Sequence, residues 1–92
     1  MIRVKCQFFA EVELIAGTTR HDISLPDGAT VADLLDTLSR ELKPGFLKEL
    51  KKFEGDGLQI IVRDRPSGLP DGPKTPLRDG DTVTFLVPLI GG

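Results

Sequence analysis

The sequence LRDGDTVTFLVPLIGG, residues 77–92, carries the clearest structural signal in this chain of 92 residues. Its Asp79-Gly80 pair is a turn signal, and the residues from Thr82 to Val87 then alternate between the two faces of a β-strand. Pro88 cannot donate to a β-ladder, so we expect it to end this strand. One face of the strand is apolar and needs a covering layer; that face holds Val83, Phe85 and Val87.

The segments that supply this layer lie upstream. Apolar and polar residues alternate in three of them, which predicts strands over Met1–Phe9, Thr19–Leu25 and Leu58–Val62. Leucines at helical spacing predict an amphipathic helix over Val31–Leu42, with Thr30 as its N-cap. Shorter helical segments are predicted over Ala10–Ala16 and Phe46–Lys52.

The order strand, strand, helix, strand, strand predicts an α+β fold in which one mixed sheet packs on one main helix. In this plan, the ubiquitin-like β-grasp, the first and last strands are parallel neighbours at the centre of the sheet. The segment from Arg63 to Pro76 is rich in Pro, Gly and Asp, so we expect an irregular surface loop there. No linker divides the chain, and we therefore expect one domain over residues 1–92 with a flexible tail over residues 88–92.

The composition limits the classes of function. The net charge is -2, and no block of Lys and Arg stands apart from acidic neighbours, whereas nucleic-acid binding requires a basic face. The apolar runs are too short to span a bilayer, and no secretory signal opens the chain. We therefore expect a cytoplasmic protein without membrane or nucleic-acid partners.

Side chains suited to catalysis are scarce. The chain has one His and one Cys, and its Asp and Glu residues fall mostly at turns and helix ends. Cys6 lies in an alternating strand and is expected to be a buried, inert thiol. His21 lies in a predicted edge strand without an evident partner for acid–base chemistry. The sequence shows no metal-ligand set and no phosphate-binding loop, so we expect a non-catalytic chain that binds no metal or cofactor itself.

The remaining candidate for chemistry is the tail. Gly91 and Gly92 have no Cβ, so their backbone can enter a channel that excludes side chains. Fully extended, residues 88–92 would reach roughly 16 Å at about 3.3 Å each. A carboxylate becomes reactive only when its oxygen is converted into a leaving group, for example by adenylation, and a partner enzyme would have to do this. The alternative is a frayed terminus with two incidental glycines.

Two stretches of the sequence resemble the MoaD/ThiS family of ubiquitin-like sulfur carriers. The stretch PLRDGDTVTFLVPLIGG is similar to the family's C-terminal signature, a Leu-x-Asp-Gly-Asp turn followed by an apolar strand, a proline and Gly-Gly. The stretch MIRVKCQFFAEVELIAG resembles the MoaD branch, the small subunit of molybdopterin synthase, and the likeness extends over the whole chain. The matching positions are Leu77, Asp79, Gly80, Asp81, Val83, Phe85, Pro88, Gly91 and Gly92, with Phe9, Ala10, Glu13, Leu14 and Gly17 near the start.

The resemblance implies a mechanism. An adenylating enzyme of the ubiquitin-activating type uses ATP to activate the carboxylate of Gly92, and a sulfur donor protein helps to convert it into a thiocarboxylate. The sulfur then passes to the precursor of molybdopterin, the ligand of the molybdenum or tungsten cofactor, which a larger catalytic subunit holds. Pro88, Leu89, Ile90 and Gly91 would thread through the partner's active site. Many members have Pro-Pro-Val where this chain has bulkier residues, and its long loop replaces a shorter turn, so the pathway stays open.

A partner would also need a surface on which to dock. Ile61 and Leu86 are expected to point away from the helix on neighbouring strands, bordered by Lys5 and Gln7. Adjacent apolar residues on an open sheet face indicate a docking patch, unless the long loop covers them. Other functions compatible with the sequence are a ubiquitin-like modifier joined through Gly92 to lysines of target proteins, a sulfur carrier for another thiolation pathway, and an interaction module without tail chemistry.

Overall fold

The computed structural model of the chain describes residues 1–53, 55, 57–63, 65–66 and 74–87. Strands and helices follow one another in these ranges in an order close to the one predicted. In chain order they are β1 (Ile2–Phe8), α1 (Glu11–Ala16), β2 (Arg20–Leu25), α2 (Val31–Glu41), α3 (Phe46–Lys51), β3 (Gln59–Val62), β4 (Arg65–Pro66) and β5 (Thr82–Leu86).

The strands form one mixed sheet in the order β2-β1-β5-β3-β4. The first and last strands, β1 and β5, are parallel and bring Cys6 opposite Val83 and Phe8 opposite Phe85. The other pairs of neighbouring strands are antiparallel. A parallel pair in the middle of an otherwise antiparallel sheet is the predicted β-grasp arrangement, and the prediction is confirmed.

The core lies between the sheet and the helices. Alternation along β1 gives buried residues at every second position, because successive side chains point to opposite faces of the sheet. The ring of Phe8 packs against Phe46 of α3 at 5.8 Å between centroids and against Phe85 at 5.3 Å. The helix leucines Leu34 and Leu38 belong to the same buried cluster. The helices therefore cover one face of the sheet and leave the other face without them.

Helix α2 begins where the sequence predicts. The predicted N-cap Thr30 accepts a hydrogen bond from the Asp33 backbone N–H at 3.4 Å, and the Asp33 carboxylate accepts one from the Thr30 N–H at 2.9 Å. This is a complete capping box, which satisfies two backbone donors that the helix itself leaves unpaired. The helix ends at Glu41, one residue earlier than predicted, because Leu42 takes up an extended conformation two residues before Pro44.

The segment predicted as an irregular loop departs from the prediction. Arg65–Pro66 forms the short strand β4, which pairs with β3, so the sheet has five strands rather than four. Proline lacks an N–H and is tolerated at the edge of a sheet, where one side of the strand has no neighbour. The chain directly after this segment is fixed to the loop before α2, because the Leu77 N–H donates to the Ala29 carbonyl at 2.8 Å. Residues 64 and 67–73 of the predicted loop lie outside the described residues.

The other predicted boundaries are too long by single residues at strand or helix ends. Strand residues without a ladder partner there, such as the exposed Met1, are not counted in the sheet. No helix within the described ranges is both long and apolar enough to cross a membrane.

Candidate functional site on the open face of the sheet

The strand residues that point away from the helices make up a surface that we call the open face. Its members alternate with the core residues of the same strands. They are Arg3, Lys5 and Gln7 of β1, Arg20, Asp22 and Ser24 of β2, Gln59 and Ile61 of β3, and Thr82, Thr84 and Leu86 of β5.

The two residues predicted for partner docking lie close to each other on this face. Ile61 stands opposite Thr84, and Leu86 stands opposite Gln59, so Ile61 and Leu86 are diagonal neighbours on adjacent strands. Both side chains are half-buried. Gln7 borders them as expected, since it pairs with Thr84 in the register of β1 and β5. The function of this pair in docking stays a prediction.

Phe9 is a third apolar residue at the same end of the sheet. It follows β1, and its N–H donates to the Phe85 carbonyl at 3.1 Å, so the chain still runs along β5 there. Alternation after the buried Phe8 places Phe9 on the side of the open face, next to Leu86. Its side chain is 48% exposed, which is unusual for a phenylalanine. The sequence contains a signal for this residue, because the outward series Arg3, Lys5, Gln7 ends on an aromatic side chain.

A concave surface adjoins this apolar end. A groove of about 340 Å³ runs over β5 and is bordered by Ile61, Thr84 and Arg63. The hydroxyl of Thr84 lies 3.4 Å from the Gln7 side-chain oxygen, so the floor of the groove is polar. The open face therefore combines an apolar corner with a polar groove, which is the mixture found at the centre and rim of protein–protein interfaces.

The wall of the groove is held by an ion pair that the sequence did not indicate. The guanidinium of Arg63 contacts the carboxylate of Asp81, which is 7% exposed, and also donates to the Pro76 carbonyl at 3.3 Å. Asp81 in turn accepts a hydrogen bond from the Arg78 N–H at 2.7 Å. Arg63 has φ of 50°, a region that residues other than glycine rarely occupy. These contacts join the end of β3 to the turn before β5.

The titratable residues considered in the sequence lie apart from this surface. Burial, together with the negative charges of Asp22 and Glu41, raises the pKa of the Cys6 thiol to about 12. Cys6 is thus buried and not ionised near neutral pH, as predicted. His21 is half-buried, and its Nε2 lies 2.8 Å from a carboxylate oxygen of Glu41. In the part of the chain that the structure describes, no cluster of His, Cys, Asp and Glu could hold a metal ion.

The predicted chemistry of the tail lies outside the described residues. Pro88, Leu89, Ile90, Gly91 and Gly92 are not described, whereas Val87, directly before them, is buried. Because Val87 follows Leu86, the chain leaves the described part of the domain at the apolar end of the open face. A partner that held the tail would therefore be close to this surface.

The fold and the sequence pattern now define the class of the protein. A β-grasp fold with a central parallel pair of strands, combined with this C-terminal signature, is typical of the ubiquitin-like sulfur carriers. The sequence pattern of the ThiS family matches residues 6–92, and the chain belongs to this family. Comparison with curated proteins gives no match.

Solved structures with the same fold include proteins from archaea and bacteria. The putative molybdopterin converting factor, subunit 1, from Pyrococcus furiosus is 25% identical, with a TM-score of 0.70 over 97% of this chain and 100% of that chain. The small archaeal modifier protein 1 from Methanosarcina acetivorans is 27% identical, with a TM-score of 0.71 over 100% and 98%. The complex of subunits 1 and 2 of the molybdopterin-converting factor from Helicobacter pylori contains a chain that is 26% identical, with a TM-score of 0.62 over 99% and 100%.

Proposed function

We propose that this chain carries sulfur as a thiocarboxylate on Gly92 and supplies it for molybdopterin synthesis. The match of the ThiS family up to residue 92 carries this proposal, because it includes the Gly-Gly end of the sequence. Two of the similar solved structures, from Pyrococcus furiosus and Helicobacter pylori, are named as a putative subunit 1 and as a complex of subunits 1 and 2 of molybdopterin converting factors, and these names support this pathway.

The chemistry needs two partners before the acceptor. In the first step a carboxylate oxygen of Gly92 attacks the α-phosphate of ATP on an adenylating enzyme of the ubiquitin-activating type, and pyrophosphate leaves. In the second step a hydrosulfide equivalent from a sulfur donor protein attacks the activated carbonyl, and AMP leaves. ATP thus belongs to the activating partner, and this chain contributes the carboxylate without binding a cofactor of its own.

The domain and its tail divide the work in this proposal. Residues 1–92 act as one domain whose tail, residues 88–92, is slender enough to enter a partner's active site. Gly91 and Gly92 leave room for the catalytic groups there, and Pro88, Leu89 and Ile90 thread through the partner's active site with Gly91. The domain docks on a larger catalytic subunit through Ile61 and Leu86, with Phe9 as an additional contact. The named complex of two subunits from Helicobacter pylori supports such a pairing.

Mass spectrometry of the intact protein tests the proposal. Incubation with the activating enzyme, ATP and a sulfur donor should replace one oxygen by one sulfur, and the C-terminal peptide should locate the change at Gly92. A variant that lacks Gly92 is the matched control and should gain no sulfur. Delivery of the sulfur to the molybdopterin precursor by a reconstituted synthase tests the pathway separately. An unchanged mass after incubation with the activating enzyme, ATP and the sulfur donor together would contradict the claim that this chain carries sulfur.

A second candidate function is protein modification. The structure from Methanosarcina acetivorans is named as a small archaeal modifier protein, and its identity to this chain is similar to that of the converting factors. Joining Gly92 to lysines would use the same adenylate. Proteomic detection of cellular lysines that carry the tryptic remnant of residues 79–92, absent when Gly92 is deleted, would support this candidate over sulfur carriage alone.

A further inference from the structure

The outer edge of β2 carries backbone groups that no other strand pairs. β2 is the first strand in the sheet order, so its far side has no neighbouring strand among the residues that the structure describes. The N–H of Phe8 donates to the Thr19 carbonyl at 2.9 Å, and such hydrogen-bonded pairs recur at every second residue of an antiparallel ladder. The backbone groups of the odd-numbered residues of β2 therefore face β1, whereas those of Arg20, Asp22 and Ser24 face outward.

The outward groups of Arg20 are already satisfied within the chain. The Thr18 hydroxyl donates to the Arg20 carbonyl at 2.9 Å and accepts a hydrogen bond from the Arg20 N–H at 3.3 Å. At the other end, Pro26 directly follows β2 and has no N–H to offer. The outward N–H and C=O of Asp22 and Ser24 make no hydrogen bond within the described ranges. The free edge thus consists of two donors and two acceptors, bounded on both sides.

These groups are complementary to those of a second copy of the same edge. In a two-fold antiparallel pair that places Asp22 opposite Ser24 of the second copy, every free donor meets a free acceptor. Other two-fold registers satisfy fewer groups. A register centred on Asp22 brings two carboxylates together and needs the occupied groups of Arg20. A register centred on Ser24 puts Asp22 opposite Pro26, which cannot donate.

The side chains of the open face are complementary in the same register. Arg3 of β1 lies beside Ser24, so Arg3 and Asp22 of the second copy lie in one row across the joined sheets. Two strand spacings, about 10 Å, separate their backbones, which is within reach of an arginine side chain. Both residues are exposed, and neither makes an ion pair in the part of the chain that the structure describes, although Lys5 stands opposite Asp22. The two-fold axis repeats this contact.

We infer that this chain forms a dimer through the outer edges of β2, with Asp22 opposite Ser24 of a second copy. The axis of such a pair is perpendicular to the sheet, so the two open faces lie on the same side. The contact leaves β5 and the end from which residues 88–92 continue uncovered, so the inference does not depend on the proposed function. Because the free groups end at Thr18 and Pro26, the pairing closes after two copies.

Sedimentation equilibrium and NMR of the full chain test the inference. One short strand pair makes a small interface, so we expect a dissociation constant on the order of 0.1 mM. The weight-average mass should then be about 1.8 times that of the monomer at about 1 mM and about 1.4 times at about 0.05 mM. Over the same range the amide hydrogens of Asp22 and Ser24 should exchange about three-fold more slowly at the higher concentration, and that of the exposed Lys43 should not change.

Two variants address the edge directly. Ser24→Pro removes only an outward N–H, so the ladder with β1 is retained, and the dissociation constant should rise by about ten-fold or more. Asp22→Lys places like charges beside Arg3 of the second copy and should raise it by about ten-fold, whereas adding Arg3→Glu should restore the pairing. Glu13→Lys, at an exposed residue of α1, makes the same change of net charge and should alter it by less than about two-fold. Circular dichroism establishes that each variant is folded.

Three results would overturn the inference. A monomer at about 1 mM would leave the edge of β2 to an extended segment of a different protein. A dimer that persists in both Ser24→Pro and Asp22→Lys would be formed by another surface. Equal effects of Asp22→Lys and Glu13→Lys, without restoration by Arg3→Glu, would show that net charge alone governs the association.

Discussion

Replacing Asp81 by alanine should destabilise the domain more than a typical surface substitution. The Asp81 carboxylate is buried and holds two groups from different segments, the backbone N–H of Arg78 and the guanidinium of Arg63. Its own backbone carbonyl accepts a hydrogen bond from the Lys5 N–H at 2.9 Å. Asp81 therefore fixes the turn that places β5 beside β1, and alanine removes the side-chain part of this arrangement.

The magnitude follows from the two lost contacts. A hydrogen bond from an amide to a charged acceptor contributes about 1.5–3 kcal/mol. The guanidinium of Arg63 is one-third exposed, so water compensates for much of the lost ion pair, and about 1 kcal/mol is appropriate for that contact. Asp81→Ala should thus lower the free energy of unfolding by about 3 kcal/mol, out of a total of about 5–15 kcal/mol for a domain of this size. Asp81→Asn keeps an oxygen acceptor for Arg78 and should cost about half as much.

Urea unfolding measures these values. The chain has no Trp and no Tyr, so far-ultraviolet circular dichroism is the suitable signal. A loss of about 3 kcal/mol shifts the urea midpoint down by about 2 M at a slope of about 1.5 kcal/mol/M. The double variant Arg63→Ala with Asp81→Ala isolates the ion pair, with an expected coupling of about 1 kcal/mol. A cost of less than 1 kcal/mol for Asp81→Ala would refute this account of the turn.

Three further predictions concern single residues. Phe9→Ser should weaken binding of the larger catalytic subunit by about four- to twelve-fold, because roughly half of the 1.5–3 kcal/mol gained by burying a phenylalanine is still available at an exposure of 48%. Leu14→Ser, at an even more exposed leucine of α1, is the control and should change the dissociation constant less than two-fold in titration calorimetry. The raised pKa of the Cys6 thiol makes stability depend on pH, because above pH 9 only the unfolded chain loses this proton. Between pH 8 and pH 10 the wild type should therefore lose about 1–2 kcal/mol more free energy of unfolding than Cys6→Ala, as measured by urea unfolding. Gly17→Ala should lower the free energy of unfolding by about 1–2 kcal/mol, because Gly17 caps α1 at φ of 79°. The loss should persist in a Lys43→Ala background, since the Lys43 side chain that would meet the new Cβ at 2.7 Å is flexible. If Lys43→Ala restored most of the lost stability, crowding and not the backbone conformation would be the cause.

The fold was largely predictable because its determinants are local. Alternation in β1 and β5 and the leucine spacing of α2 each follow from side-chain direction within one element. The pairing of β1 with β5 then follows because both strands present an apolar face to the same helix. Strand β4 gave no such signal, since it has only two residues, one of them proline, and gains its structure from pairing with β3.

The candidate site was predictable only where it depends on alternation. The same period of two that buries Val62 and Phe85 puts Ile61 and Leu86 on the open face. The pair of Arg63 and Asp81 was not predictable, because it joins residues that are 18 positions apart, and no local pattern relates them. From the sequence, Phe9 was noted only as part of the family motif. Its position after the outward-pointing residues Arg3, Lys5 and Gln7 also indicated an apolar side chain on the open face.

Two neighbouring phenylalanines show how this domain separates stability from binding. Phe8 is 1% exposed and lies between Phe46 and Phe85, so its burial contributes to the stability of the folded domain itself. Phe9 directly follows that strand on the side of the open face, where its contribution depends on a second molecule. Substitutions at Phe9, Ile61 and Leu86 should therefore impair docking on the larger catalytic subunit in a fully folded domain. Inner-face substitutions should impair docking only in proportion to the unfolded fraction, so stability measurements alongside binding distinguish a docking residue from a core residue.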